Sequence, residues 1–124
     1  MENIITESTS HLPRIEFCTN GRLLLEGRSI PENASTLFDP LIQFAESIEI
    51  ETVVFDINLE YFNTASSKKL MELLRRLDVN SKINDLHVNW HYEEGDDDSV
   101  ETAEIFEEFL NKAEFRYLEY AESA

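Results

Sequence analysis

Three hydroxyl side chains, Thr64, Ser66 and Ser67, crowd into one short stretch, and a hydroxyl is the group that accepts phosphate from a serine/threonine kinase. Their position is as telling as their type. The residues before them, Thr52-Val-Val-Phe-Asp-Ile-Asn-Leu-Glu-Tyr-Phe62, alternate with period two, and those after them, Leu70, Leu73, Leu74 and Leu77, recur with the helical period. A strand therefore turns into a helix at Asn63-Thr-Ala-Ser-Ser67. The start of a helix exposes unpaired N–H groups and the positive end of the dipole, where a phosphate is well received. The same cluster also reads as a helix cap with small residues for close packing. Helical phase puts Ser66 on the buried stripe and Ser67 at its edge, and leaves Thr64 at the turn as the best acceptor of the three.

Other reactive residues suggest less chemistry. His87 and His91 lie four apart in a strand pattern, about 13 Å along the chain, too far to share one ion. The run Glu93-Glu-Gly-Asp-Asp-Asp98 lacks the alternating acids, central glycine and terminal glutamate of a calcium loop and reads as a solvated turn. Cys18 has no second cysteine and reads as a structural thiol. No G-x-S-x-G, P-loop, H-E-x-x-H or G-x-G-x-x-G occurs, so the expectation is a protein without catalytic, metal or cofactor sites. The rival is a small metal-binding domain or enzyme built on the histidines and the acidic loop.

The elements that position the hydroxyls follow from the rest of the pattern. Residues 1–12 are polar and unpatterned and are expected to form a flexible arm. Arg14–Cys18 and Arg22–Glu26 flank Asn20-Gly21, which predicts a hairpin. Leu37, Phe38, Leu41, Ile42, Phe44, Ala45 and Ile48 share a helix face; this helix starts near Ser35, with Pro40 close to its first turn, or at Asp39, and the earlier start buries Leu37 and Phe38. In the central strand, Val53, Phe55, Ile57, Leu59 and Tyr61 share the buried face, and Phe62 falls on the other. A helix over about 64–78 turns Lys68, Lys69, Glu72, Arg75 and Arg76 outward, and a strand over Leu86–Tyr92 follows. The next helix is capped by Asp98 or Ser99 and buries Phe106, Phe109, Leu110 and Ala113, opposite Glu101, Glu104, Glu107 and Glu108. A strand over Phe115–Tyr120 and a short tail at 121–124 end the chain. The order β-β-α-β-α-β-α-β predicts an α/β domain over 13–120, a mixed five-stranded sheet with helices mainly on one face.

The chain of 124 residues fits one domain, and 42% hydrophobic content supplies a core. Twenty-six acidic against ten basic residues give a formal charge of −16, which disfavours nucleic acid and anionic membranes and favours a partner with basic surface. No apolar run is long enough to span a bilayer, the N-terminus lacks a signal-peptide pattern, and the single cysteine suits a reducing compartment, so a cytoplasmic protein is expected.

Three blocks in order, Pro31-Glu-Asn33, Phe55-Asp-Ile-Asn-Leu-Glu-Tyr-Phe-Asn-Thr64 and Asn89-Trp-His-Tyr-Glu-Glu94 with its acidic run, resemble the SiaC family of bacterial regulatory phosphoproteins, itself related in design to anti-sigma-factor antagonists of the SpoIIAA (STAS) type. The resemblance spans about Gly21 to Tyr120. It implies a STAS-like fold and places the phosphorylated threonine at Thr64. It also implies a serine/threonine kinase of the anti-sigma-factor type, a metal-dependent phosphatase, and an effector bound and activated by the unphosphorylated form. In the best-known circuit that effector is a diguanylate cyclase, whose cyclic di-GMP promotes biofilm. The STAS pattern Asp-Ser-Ser-Gly is absent, which argues against the alternative of a direct sigma-factor circuit, and Ala65 stands where SiaC-like chains often carry another serine. From position, the partner surface is expected to include Tyr61, Phe62, Asn63, Ala65, Lys68 and Lys69.

Overall fold

A computed structural model describes residues 1–122. Strands β1 (Ile4–Thr6), β2 (Arg14–Phe17), β3 (Arg22–Ser29), β4 (Thr52–Phe62), β5 (Asp85–Glu93) and β6 (Ala113–Tyr120) form one sheet in sequential order, joined by helices α1 (Ala34–Ser47), α2 (Thr64–Val79) and α3 (Asp97–Glu108). The first three strands pair antiparallel, whereas β3 to β6 pair parallel through the helical crossovers. Val53, Phe55, Ile57 and Leu59 of β4 join Leu70, Leu73, Leu74 and Leu77 of α2 and Trp90 of β5 in one core cluster. The mixed α/β domain anticipated from the periodicities is thus present, with one strand more.

The sixth strand lies in the stretch expected to be a loose arm. Ile4, Ile5 and Thr6 pair with Phe17, Glu16 and Ile15, and Asn3 Oδ1 accepts the Thr19 N–H. Only Ile4 packs against the core, so main-chain bonds to an open edge hold this strand, and they leave no side-chain period to read. At the hairpin, Gly21 has φ +96°, and a Cβ there would stand 2.2 Å from the Thr52 carbonyl oxygen. Glycine is required by both the turn and the close approach.

Each helix begins with an Asx cap whose side chain accepts the N–H three residues on: Asn33 from Thr36, Asn63 from Ser66, and Asp96 from Ser99. The cap of α3 is therefore Asp96, not Asp98 or Ser99; Ser99 is buried and accepts the Trp90 indole N–H at 2.9 Å. Pro40 lies in the second turn of α1, deeper than expected, and its missing donor faces the carbonyl of exposed Thr36, where water can serve.

Two side chains exchange faces at the end of β4. Gly27 pairs with Leu59 and Arg28 with Tyr61, so Glu60 is an extra residue in the ladder. Such a bulge inverts the alternation beyond it. Tyr61, expected inside, is 54% exposed, and Phe62, expected outside, is half-buried with its ring edge-on to Trp90 at 6.2 Å. A third correction concerns Phe109, which follows the last turn of α3 and is 59% exposed.

Candidate functional site

The turn from β4 into α2 fixes the three hydroxyls in different environments. Asn63 donates its backbone N–H to the Ser29 carbonyl at 3.1 Å and accepts the Ser66 N–H on its side chain at 2.9 Å. Ser66 is 1% exposed; its hydroxyl donates to the same Ser29 carbonyl at 3.0 Å and lies 3.0 Å from the Ser29 hydroxyl. Helix start and the end of β3 are thereby locked together, and Ser66 is closed to a kinase. Ser67 is half-buried and gives its N–H to the Asn63 carbonyl. Thr64, first residue of α2, is exposed.

The first N–H groups of a helix have no intrahelical acceptor, so the backbone at Thr64 and Ala65 presents donors and the positive dipole end beside the Thr64 hydroxyl. One turn on, Lys68 is exposed. Lys69, expected to point outward, instead reaches α1: its ammonium bonds Asp39 at 2.9 Å and lies 3.6 Å from Glu72. The Asp39 hydrogen bond holds the Lys69 pKa above its ordinary value. Of the two lysines, Lys68 is the free cation beside Thr64.

Residues 63 and 64 connect two surface grooves. Ala65, Lys68 and Lys69 line one with Asn33, Ala34 and Ser35 at the start of α1. Tyr61 and Phe62 line the other with Asp96, Asp98 and Thr102 at the start of α3. The expected partner residues are therefore not one patch: Ala65, Lys68 and Lys69 face α1, and Tyr61 and Phe62 face α3.

The histidines lie elsewhere, on the sheet face opposite the helices. His91 Nε2 is 2.9 Å from Asp56 Oδ1, which also accepts from the Asn89 amide at 3.1 Å, and His87 Nδ1 is 3.5 Å from Glu114. Among the described residues no three His, Cys, Asp or Glu side chains converge as a metal site. Sequence reading missed Ser29 and the cap role of Asn63. An Asn closing a strand pattern three residues before Ser66 carries a capping signal, but Ser29, far away in sequence, carries none.

The family model described as SiaC family regulatory phosphoprotein matches residues 6–120. A curated but uncharacterised protein of Pseudomonas aeruginosa strain UCBPP-PA14 is 33% identical over 92 residues, covering 71% of this chain and 73% of that protein. SiaC of Pseudomonas aeruginosa superposes with a TM-score of 0.77 at 28% identity, covering 98% of this chain and all of that one. A crystal structure of the diguanylate cyclase SiaD in complex with its activator SiaC, from the same organism, matches with a TM-score of 0.75 at 28% identity over 96% of this chain and 99% of that one.

Proposed function

Because the chain belongs to the SiaC family of regulatory phosphoproteins, we propose that it is a non-catalytic switch in which Thr64 carries a reversible phosphate. The observation that carries this reading is the separation of the three hydroxyls: Thr64 is exposed at the helix start, whereas Ser66 is sealed against Ser29. The unphosphorylated form binds and activates an effector. That effector is a diguanylate cyclase, a reading supported by the SiaD–SiaC complex, whose structure this chain matches along nearly its whole length. A serine/threonine kinase of the anti-sigma-factor type adds the phosphate and a metal-dependent phosphatase removes it.

The switch works locally. A phosphate adds about −1.5 to −2 charges beside the α2 N-terminus and Lys68, which hold it without refolding. It stands between the groove of Ala65 and Lys68 and the groove of Tyr61 and Phe62, and reverses the sign of charge beside Lys68, which blocks docking. Lys69 supports this surface from its bond to Asp39.

Intact-mass analysis after treatment with the cognate kinase tests the acceptor. Wild type is expected to gain one phosphate and Thr64→Ala none; labelling that persists in Thr64→Ala would move the acceptor to Ser67 or another hydroxyl. In a binding titration with the cyclase, Thr64→Ala is expected to bind like wild type and Thr64→Glu at least about tenfold more weakly.

A further inference from the structure

The two edges of the sheet are built differently. Proteins blunt an exposed edge with a short strand, lysine, proline or a bulge, because its unpaired main-chain groups are a template for another strand. At one edge β1 is three residues long, whereas at the other β6 runs for eight, pairs with β5 without a register shift and contains neither lysine nor proline. Among the described residues no strand covers its outer side. The Tyr120 carbonyl accepts the N–H of Glu94, just beyond β5, at 2.8 Å, so Tyr120 directs its main chain inward. That direction alternates along a strand, so Phe115, Tyr117 and Glu119 turn their N–H and C=O groups outward.

The side chains along this edge are complementary to themselves. Glu114 and Arg116 lie on the sheet face away from the helices, in register with His87 and Asn89 of β5. The Glu114 side chain is 76% exposed, with the His87 ring 3.5 Å away, and Arg116 is exposed with no carboxylate within 4.0 Å among the described residues. Phe115 and Tyr117 are half-buried on the helix face, their ring centres 6.1 Å apart. Laid antiparallel to itself about Phe115, the stretch Ala113-Glu-Phe-Arg-Tyr117 sets each Glu114 opposite an Arg116.

We propose that β6 pairs antiparallel with β6 of a second copy of this chain, about a two-fold axis that passes through Phe115 normal to the sheet, so that the two sheets become one. In this register Phe115 exchanges both main-chain hydrogen bonds with its counterpart. The two Glu114–Arg116 pairs then fall at the intervening positions, where Cα atoms approach to about 4.5 Å and side chains meet most closely. A shift of the axis to Tyr117 would set Phe115 against Glu119 and Arg116 against Leu118, and would lose both ion pairs. Helix α3 runs antiparallel to β6 and meets Tyr117 through Glu107, so its acidic start lies about 15 Å further from the axis. The two α3 helices therefore extend away from each other. Repulsion between two chains of −16 is screened beyond about 8 Å at physiological salt, which leaves a weak, concentration-dependent dimer. Both copies keep their helices on the same side of the joined sheet with Thr64 exposed, and the pairing is independent of the phosphate.

Sedimentation equilibrium of the full chain, at up to about 0.5 mM protein and about 0.15 M salt, tests the pairing. Wild type is expected to pass from monomer to dimer as concentration rises. Arg116→Glu and Glu114→Arg, each of which sets two like-charge pairs across the axis, are expected to weaken self-association about tenfold or more, with unchanged circular-dichroism spectra. An equimolar mixture of the two variants restores both ion pairs at the same total charge as two wild-type copies, and is expected to dimerise like wild type. Ile5→Ser, on β1 at the far edge, should leave the dimer unaffected. A wild type that stays monomeric throughout would overturn the pairing and leave this edge to an extended segment of another protein. A dimer that persists in both single variants, or a mixture no tighter than either variant alone, would also overturn it.

Discussion

At the scale of single residues, Thr64 and Ser66 stand two positions apart, on opposite sides of α2, in roles that a mutation can separate. The Thr64 side chain is exposed at the first helical position, where threonine and alanine differ little, so Thr64→Ala should change stability by less than about 0.5 kcal/mol. Ser66→Ala removes the donor to the Ser29 carbonyl and the partner of the buried Ser29 hydroxyl, which should cost about 1–2 kcal/mol. Urea denaturation of the two variants checks both figures. Similar losses in both would mean that Thr64 is structural. The distinction matters for the switch, because a loss of cyclase binding in Thr64→Glu can then be assigned to charge rather than to unfolding.

At the scale of elements, the sheet and the helices that flank Thr64 were legible because their side chains repeat with period two or 3.6 against a single core. Position 66 as packing and position 64 as accessible also followed from helical phase alone. What the pattern could not carry was anything decided by main-chain pairing. The bulge at Glu60 leaves no glycine or proline in β4 to mark it, yet it exchanges Tyr61 and Phe62, and β1 is held by edge bonds that its sequence does not announce. The same limit hid the junction of α2 with β6. Asp78, buried in the last turn of α2, accepts the backbone N–H groups of Asn111, Lys112 and Ala113 at 2.8–3.0 Å, while the Lys112 ammonium bonds the carbonyls of Asn80 and Ile83. Asp78→Ala would leave three donors without that acceptor and should destabilise the protein by about 2–4 kcal/mol, read as a lower urea midpoint with an unchanged slope. A loss below about 1 kcal/mol would show that water replaces the carboxylate there.

At the scale of the whole molecule, the magnitudes decide how a phosphate can act. The chain already carries −16, so a further −1.5 to −2 alters the long-range field by about a tenth, too little for a switch that relied on global repulsion. The anchors of the α2 start, the Asn63 cap and the Ser66–Ser29 bonds, point away from Thr64 into the fold, so the phosphate has no buried contact to break. The phosphorylated protein should therefore keep its fold. Amide chemical-shift changes on phosphorylation are expected near residues 61–72 and on the facing flank of α3, with β1, β2 and β6 unmoved, and the melting temperature should shift by no more than about 3 °C. Shifts spread across the sheet would overturn the local switch and require a second conformation of the domain. Confined shifts that reach Thr102 would tie the phosphate to the groove at Tyr61 and Phe62 through space, since no chain segment links α2 to α3 without passing through β5.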